Sequence, residues 1–199
     1  MSTLRLSTTS YLVMGIVALR GPSTSYDMKR AIGHSVGFFW PFPHAQLYSE
    51  PKRLVEGGLL EVTVEEDGRR RQTYSINPKG LAALREWLAD PVCEPMQVRD
   101  VGELKLFLSE LADHADVVTL AREQVRQHTE RIATYEAIEA RFGHREDVAE
   151  RMLPLGLGLA MERAALDFWR DIEARYAAVV TPGATPTRKR RIKADRAAS

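Results

Sequence analysis

The sequence predicts a mainly α-helical protein with one small β-hairpin, and three observations support this fold class. Apolar residues recur at intervals of three and four through most of the chain, which is the spacing of helices with a buried face. Strict alternation of apolar and polar residues is confined to two short segments within residues 60–76. Beyond residue 120, the helical spacing continues through two long segments. Together these patterns predict a mixed N-terminal part and an entirely helical C-terminal part.

Composition limits the classes of protein that need consideration. The 199 residues, 44% hydrophobic and 28% charged, fit one or two ordinary folded domains. No stretch approaches the ~18 consecutive apolar residues of a membrane span, and the N-terminus lacks the small-residue cleavage site of a secretory signal. We therefore expect a cytoplasmic protein with no membrane partner. A single cysteine, Cys93, excludes an intramolecular disulfide and a thiolate metal centre.

Two short helices are predicted at the start of the chain. The Ser/Thr cluster at residues 7–10 can cap a first helix that reaches Leu19. Gly21 and the proline after it end that helix. The second helix covers residues 26–32 and ends at Gly33.

The next segment predicts an aromatic connector and a third helix. Residues 36–43 contain two prolines, which exclude regular helical hydrogen bonding throughout. Pro43 suits the first turn of a helix that ends at Gly57 and Gly58. We expect Leu47, Leu54 and Val55 to face inward. The polar residues that remain on the outward face or its flanks are His44, Gln46, Tyr48, Ser49, Lys52 and Arg53.

A β-hairpin follows the third helix. Residues 60–64 and 71–76 alternate with period two on either side of a Glu-Asp-Gly turn. Three adjacent arginines are predicted to begin the return strand: Arg69, Arg70 and Arg71. Asn77-Pro78 then opens a fourth helix that extends to about Leu88.

Three helices followed by a two-stranded hairpin within about 75 residues is the order of a winged helix-turn-helix, whose third helix enters the major groove of DNA. Polar residues of the third helix can reach base edges and phosphates. The arginine triplet is more specific, because adjacent like charges repel one another and indicate an anionic partner. A merely solvated face remains the alternative interpretation of the polar helix residues.

The C-terminal half is predicted to be a dimerisation domain. A linker at residues 91–95 precedes a helix over residues 101–111, and a break at residues 113–116 follows. A second helix carries a heptad seam from residue 121 to residue 142, interrupted by His128 and Glu139.

The last helix of this half, over residues 154–180, is apolar on more than one face. One face runs through Leu157, Met161, Ala165, Phe168, Ile172, Tyr176 and Val179, and further apolar residues are Leu155, Leu159, Leu166 and Trp169. A partner subunit would cover such a helix on a second side. A monomeric bundle core is the alternative.

Charge is segregated along the chain. Residues 1–90 carry 11 Lys and Arg against 9 Asp and Glu, whereas residues 91–187 carry 11 against 17. Residues 181–199 contain a basic run with little apolar surface, so we expect a disordered basic tail. That tail would either make non-specific contacts with nucleic-acid phosphates or only improve solubility. Contact with a polyanion is therefore expected at the N-terminal half, since an acidic surface repels phosphate.

The remaining candidate site is a pocket for a small aromatic or hydrophobic effector, between the dimer helices and the N-terminal domain. Small-molecule sites are apolar and aromatic with few polar anchors. The candidate lining residues are Phe38, Phe39, Trp40, Met161, Trp169 and Tyr176. Aromatic residues at helical spacing are also typical of an ordinary core. No histidine spacing predicts a metal site, no motif predicts a cofactor, and catalytic residues are not expected.

The sequence resembles the PadR family of bacterial transcriptional regulators. The matching motifs are Gln46-Leu47-Tyr48, Lys52-Arg53-Leu54 and the run from Gly68 to Gly80, within a likeness that covers residues 7–90. Residues 103–108 and the helices after them look like the C-terminal domain of the longer, virulence-activator-like members. The resemblance implies a homodimer that represses genes and releases DNA when a small effector binds. Pro51 departs from the aliphatic residue usual in the family's third helix.

The prediction as a whole is a dimeric winged-helix repressor that binds a pseudo-palindromic operator. Its domains are residues 1–90 for DNA binding, 96–180 for dimerisation and 181–199 as the tail. The predicted DNA-contacting residues are Ser25, Tyr26, Lys29, His44, Gln46, Tyr48, Ser49, Lys52, Arg53, Arg69, Arg70 and Arg71. One alternative is a winged-helix protein-interaction module without sequence-specific DNA binding. A second, a small-molecule-binding or enzymatic helical dimer, would require turnover.

Overall fold

The computed structural model describes residues 4–40, 43, 45–66 and 70–180. The chain divides into two compact units between Met96 and Gln97. Each unit has its own helices and its own buried cluster.

The N-terminal unit has the element order that the sequence predicts. Its helices are α1 (Thr8–Arg20), α2 (Ser25–Gly33), α3 (Gln46–Glu56) and α4 (Pro78–Ala89), with a 3₁₀ turn at Val36–Phe38. Its strands are β1 (Leu60–Val64) and β2 (Gln72–Ile76), which pair antiparallel. The mainly α fold class with a small β wing is confirmed.

Local capping chemistry sets where these helices begin. The side chain of Ser7 accepts a hydrogen bond from the amide of Ser10, and the side chain of Thr24 accepts one from the amide of Asp27. In both cases the third residue of the helix bonds back to the cap, so each helix start is a capping box. Asn77 caps α4 ahead of a proline at the first helical position.

The hairpin is fastened to the rest of the unit at two places. Tyr74 and Ser23 exchange two backbone hydrogen bonds of 2.9 Å, which join β2 to the turn before α2. At the other end, the Asn77 side chain donates to the carbonyl of Gly58 at 3.0 Å while its oxygen accepts from the amide of Gly80 at 2.9 Å. A Cβ at Gly80 would collide with the carbonyl oxygen of Leu59, so α4 approaches the start of the hairpin more closely than a side chain allows.

One apolar core holds the N-terminal unit together. Every helix and both strands contribute to it, and α3 supplies two fully buried leucines, Leu47 and Leu54. The buried residues of this core are Val13, Met14, Ile16, Val17, Met28, Ala31, Ile32, Leu47, Leu54, Leu59, Leu60, Tyr74 and Leu84. Because burial of a leucine side chain contributes roughly 1.5–3 kcal/mol, these two residues fix which face of α3 points inward.

Two boundary predictions in this unit are wrong. The third helix begins at Gln46, not at Pro43, because the Pro43 carbonyl accepts the Gln46 amide at 2.9 Å in a turn that precedes the helix. The return strand begins at Gln72, and Arg70 lies outside it. Arg70 has φ of 49°, which is left-handed backbone that cannot continue an extended strand.

The C-terminal unit is a pair of long helices with short elements at its ends. Its helices are α5 (Val101–Phe107), α6 (His114–Phe142) and α7 (Ala149–Val180), with 3₁₀ turns at Ser109–Leu111 and Glu146–Val148. Ion pairs join Arg122 to Glu173 and Glu136 to Arg163, so α6 and α7 run antiparallel. No helix among the described residues is long and apolar enough to cross a membrane.

The ends of the C-terminal helices also differ from the prediction. The predicted helix over residues 101–111 stops at Phe107. The next helix, α6, begins at His114, which lies inside the break predicted at residues 113–116. The last helix begins at Ala149 rather than Pro154. Pro154 lies in the second turn of α7, where it removes only the hydrogen bond to the Glu150 carbonyl, so the helix continues through it.

Apolar residues occupy two faces of α7. The face toward α6 is buried and consists of Leu159, Leu166, Trp169 and Ile172. A second row remains exposed in the single chain and consists of Leu153, Leu157, Met161 and Phe168. Ile172 therefore lies with the buried row, although the sequence groups it with Leu157, because it packs in one cluster with Val117 and Ala121 of α6.

Candidate nucleic-acid interface

The third helix presents a polar outward face. Leu47 and Leu54 hold the opposite face in the core, which leaves Gln46, Tyr48, Ser49 and Lys52 exposed. Tyr48 is 53% exposed, although it is a large aromatic residue in a well-packed unit. Four of the residues that the sequence assigned to DNA contact therefore share the accessible side of one helix.

Pro51 does not disturb this face. It lies inside α3, and its side chain is fully buried. The helix continues from Gln46 to Glu56 through the proline. Since Pro51 points inward, the missing amide affects the core side of α3, and the outward side chains keep their helical spacing.

Arg53 lies away from the outward face. Its guanidinium donates to Glu50 through Nε at 2.9 Å and through Nη2 at 2.6 Å, and Nη2 also donates to the hydroxyl of Ser10 at 2.9 Å. A further hydrogen bond of 3.0 Å reaches the carbonyl of Arg5. The Arg53 guanidinium is thus engaged between α3 and the start of α1, a position that its place in the family motif does not reveal.

Glu50 is the buried member of this network and was not singled out from the sequence. Its carboxylate accepts from the Ser10 hydroxyl at 2.6 Å as well as from Arg53. Burial raises the pKa of Glu50, but the hydrogen bonds from Arg53 and Ser10 and the charge of Arg53 outweigh it, so the pKa lies below its ordinary value. The only sequence signal was the spacing of three between Glu50 and Arg53 on a helix.

The wing, α2 and α3 meet around one open groove of about 770 Å³. The predicted residues that line it are Ser25, Tyr26, Tyr48, Lys52, Arg70 and Arg71. Lys29 is exposed on α2, and Gln46 and Ser49 are exposed on α3, but they do not line this groove. His44 and Arg69 lie outside the described residues. The groove therefore combines three cationic side chains with three tyrosines and the carboxylate of Asp27. The Tyr74 hydroxyl donates to Gln72, and the cations and the other two tyrosines are donors suited to phosphate oxygens.

Arg71 connects the wing to the start of α2. Its Nη2 lies 3.4 Å from Oδ2 of Asp27. Hydrogen bonds from the Thr24 side chain and backbone lower the pKa of Asp27, and the charge of Arg71 lowers it further. Because Arg71 is 56% exposed, this ion pair is a weak one that a phosphate can replace.

The candidate effector residues occupy different environments within their units. Phe38 and Trp40 are about half exposed in the N-terminal unit, and Met161 is exposed on α7. Trp169 is 2% exposed and packs with Val117, Ala121 and Ile172, and Tyr176 packs against the same cluster. Trp169 therefore serves as core of the C-terminal unit.

A partly buried polar pair interrupts the contact between α6 and α7. Nδ1 of His128 lies 2.6 Å from Glu162, whose other oxygen accepts from Arg131 at 3.3 Å. The Nε2 atom of His128 is buried and has no hydrogen-bond partner among the described residues. Within the same part of the chain, no group of three or more His, Cys, Asp or Glu is placed to hold a metal ion.

Each of the two units matches a known protein family. Residues 13–86 match the transcriptional regulator PadR-like family, and residues 98–177 match the virulence activator alpha C-terminal family. The chain is 23% identical over 125 residues to the negative transcriptional regulator PadR of Bacillus subtilis, which covers 62% of this chain and 68% of that protein.

Solved structures extend the likeness to most of the chain. Bacillus subtilis PadR in complex with operator DNA matches with a TM-score of 0.78 and 20% identity, covering 85% of this chain and 99% of that one. The same protein in complex with p-coumaric acid matches with a TM-score of 0.70 and 20% identity, over 84% and 99% of the two chains. The Vibrio cholerae virulence activator AphA matches with a TM-score of 0.67 and 26% identity, over 86% and 99%.

The two family matches cover consecutive parts of the chain, and they coincide with the winged-helix unit and the helical unit of the structure. The chain combines a domain of the transcriptional regulator PadR-like family with a C-terminal domain of the virulence activator alpha type.

Proposed function

We propose that this protein is a sequence-specific DNA-binding repressor that acts as a homodimer on a pseudo-palindromic operator in the bacterial cytoplasm. One observation carries the proposal: the exposed polar face of α3 lies beside a groove that Lys52, Arg70 and Arg71 line together. Bacillus subtilis PadR is a negative transcriptional regulator and has been solved in complex with operator DNA, and this similarity supports the repressor role.

In this proposal α3 lies in the major groove of DNA, where some of its exposed residues contact bases and others contact phosphates. Gln46 and Ser49 are near the N-terminal end of the helix, the end that contacts base edges in helix-turn-helix proteins. Tyr48, Lys52 and Arg70 donate to phosphates and set the register of the protein on the duplex. Arg53 is bound to Glu50 and contributes to the position of α3 rather than to DNA contact.

The exposed row of α7 supports the homodimer. Leu153, Leu157 and Phe168 are between 47% and 73% exposed in the single chain, and they repeat along one side of a helix whose other side is already covered. A second copy packed on this row would remove the apolar surface from water. A two-fold dimer also presents two copies of α3, which an operator with two half-sites separated by about one helical turn requires.

We further propose that a small aromatic effector releases the DNA. The structure of Bacillus subtilis PadR with p-coumaric acid supports an effector of this chemical class. The candidate lining residues remain Phe38 and Trp40 of the N-terminal unit and Met161 and Tyr176 of α7. Trp169 belongs to the core of the C-terminal unit. Titration of the protein with phenolic acids, followed by tryptophan fluorescence, tests this part. Quenching that never saturates counts against it.

Fluorescence-polarisation binding tests the DNA function directly. The purified protein is titrated with duplexes from the region upstream of its own gene and with a shuffled duplex, over a series of salt concentrations. A specific site is expected to bind at least about 10³-fold more tightly than the shuffled control. Equal binding that collapses with salt would leave only the electrostatic contribution and would favour the protein-interaction alternative.

A further inference from the structure

The first turn of α1 touches the first residue of α3. The hydroxyl of Thr9 donates a hydrogen bond of 3.0 Å to Oε1 of Gln46. Gln46 is exposed, and it is the residue at the N-terminal end of the helix that carries the proposed base contacts. A side chain from a different helix therefore holds the carboxamide of a candidate base-reading residue.

A second contact from the same turn of α1 keeps the two helices from sliding. Ser10, the next residue along α1, donates to Glu50 at 2.6 Å and accepts from Arg53 at 2.9 Å. Glu50 lies one helical turn beyond Gln46 on α3. Two adjacent residues of α1 thus bind α3 at positions one turn apart, so the distance between Thr9 and Gln46 is set by the buried network beside it.

The Thr9 contact fixes which end of the carboxamide is turned toward α1. A glutamine offers one acceptor oxygen and one NH₂ group with two donors. The oxygen of Gln46 is engaged by Thr9, while none of the described residues bonds its Nε2 atom. The oxygen keeps a second lone pair, but it is turned toward α1, so the NH₂ group is the end of the carboxamide that is turned away from α1.

We propose that Thr9 is a specificity-determining residue that acts through Gln46, turning its NH₂ group toward the DNA so that α3 prefers a guanine at that position. Guanine presents two acceptors, O6 and N7, in the major groove, whereas bidentate recognition of adenine needs both the oxygen and the NH₂ group of a glutamine. Thr9 is a positioning residue here and touches no base. The inference rests on the proposed DNA-binding function.

Selection of bound duplexes from a pool with randomised half-sites tests the inference. The full-length protein is compared with Thr9→Val, which has nearly the same shape without the hydroxyl, and with Thr9→Ser, which keeps the hydroxyl. Gln46→Ala identifies the base pair whose preference depends on Gln46. At that pair we expect the wild type to select guanine over adenine, Thr9→Ser to retain the selection, and Thr9→Val to reduce the ratio at least about fivefold, the lower end of what one good base contact provides.

Three readouts separate this role from a loss of folding. Thermal unfolding should be similar for Thr9→Val and Thr9→Ser, and Thr9→Ala serves as a second variant if valine disturbs α1. Affinity for a shuffled duplex and its salt dependence should not change, because no phosphate contact is removed. Selection of adenine by the wild type, or an unchanged ratio in both Thr9→Val and Thr9→Ala, overturns the inference while the DNA-binding function stands. A wild type that enriches no sequence overturns the proposed function, and the inference with it.

Discussion

The guanidinium of Arg53 faces the carboxylate of Glu50 on the same helix, with Nη2 2.6 Å from Oε1 and Nε 2.9 Å from Oε2. The two-point contact directs Arg53 toward α1 and the hydroxyl of Ser10. The outward face of α3 is therefore left to the shorter side chains Gln46 and Ser49 and to Tyr48 and Lys52. An arginine that the sequence motif suggests for DNA contact is hydrogen-bonded to Glu50 and Ser10, where it joins α3 to α1.

Replacement of Arg53 is expected to destabilise the N-terminal unit. Arg53→Ala leaves the buried Glu50 carboxylate with fewer hydrogen bonds, which costs on the order of 1–3 kcal/mol. Urea unfolding followed by circular dichroism measures the loss. Lys52→Ala is the matched control, since this neighbour on α3 is exposed and its loss should change the free energy of unfolding by no more than about 0.5 kcal/mol. Equal effects of the two substitutions would show that the Glu50–Arg53 contact contributes nothing.

The same network predicts how stability depends on pH. The pKa of Glu50 is lowered in the folded protein relative to its ordinary value of 4.5. A group with a lowered folded pKa stabilises the protein above the ordinary pKa, and that contribution is lost as the pH falls through the folded pKa. We expect Glu50→Gln to be less stable than the wild type at pH 7, and the difference to shrink progressively below about pH 4.5. Thermal melts of both proteins between pH 7 and pH 3 measure it; a difference that stays constant would contradict the assignment.

Phosphate contact by the wing and α3 has a distinct salt signature. Lys52→Ala and Arg70→Ala should each weaken binding to specific and shuffled duplexes alike, and should reduce the slope of log affinity against log salt by about one. The control is Arg85→Ala, an exposed cation of α4 in the same unit. Polarisation titrations at several salt concentrations provide the slopes. If Arg85→Ala lowers the slope as much as Arg70→Ala does, the cations near the groove have no special role.

The exposed row of α7 predicts the oligomeric state. Leu157→Glu places a charge in the proposed dimer contact, where it cannot be paired, and should convert the dimer into a monomer. Arg170→Glu changes a solvent-exposed charge on the same helix and should leave the dimer intact. Sedimentation velocity distinguishes the two masses. A wild type that sediments as a monomer would exclude the dimer outright.

The elements that the sequence predicts well are those that local chemistry fixes. The caps at Ser7, Thr24 and Asn77 and the alternation of the hairpin each depend on residues only a few positions apart. The direction of Arg53 depends on Ser10, which is 43 residues away in sequence, so no local pattern reveals it. Phe168 and Trp169 illustrate the same limit: they are adjacent aromatics, and only the phase of α7 against α6 decides that Phe168 is exposed and Trp169 is buried.

The predicted first residue of a helix is wrong where a proline can occupy either of two positions. Pro43 suits either the first turn of a helix or the turn before it, and the structure uses the second. Pro154 suits a helix start, yet α7 already includes five residues before it. In both cases a local rule permits either position, so the proline alone does not fix where the helix begins.

The joint at the base of the hairpin separates two kinds of change that the protein can tolerate. Asn77 bonds Gly58 and Gly80 at once, and Gly80 lies too close to Leu59 for any side chain. The structural effect of an insertion or a new charge between Val64 and Gln72 is therefore not transmitted past these contacts, and α4 does not shift. A descendant of this chain could acquire a longer or differently charged wing tip, and so a new set of contacts with a DNA backbone, without altering α3, the helix proposed to read the bases.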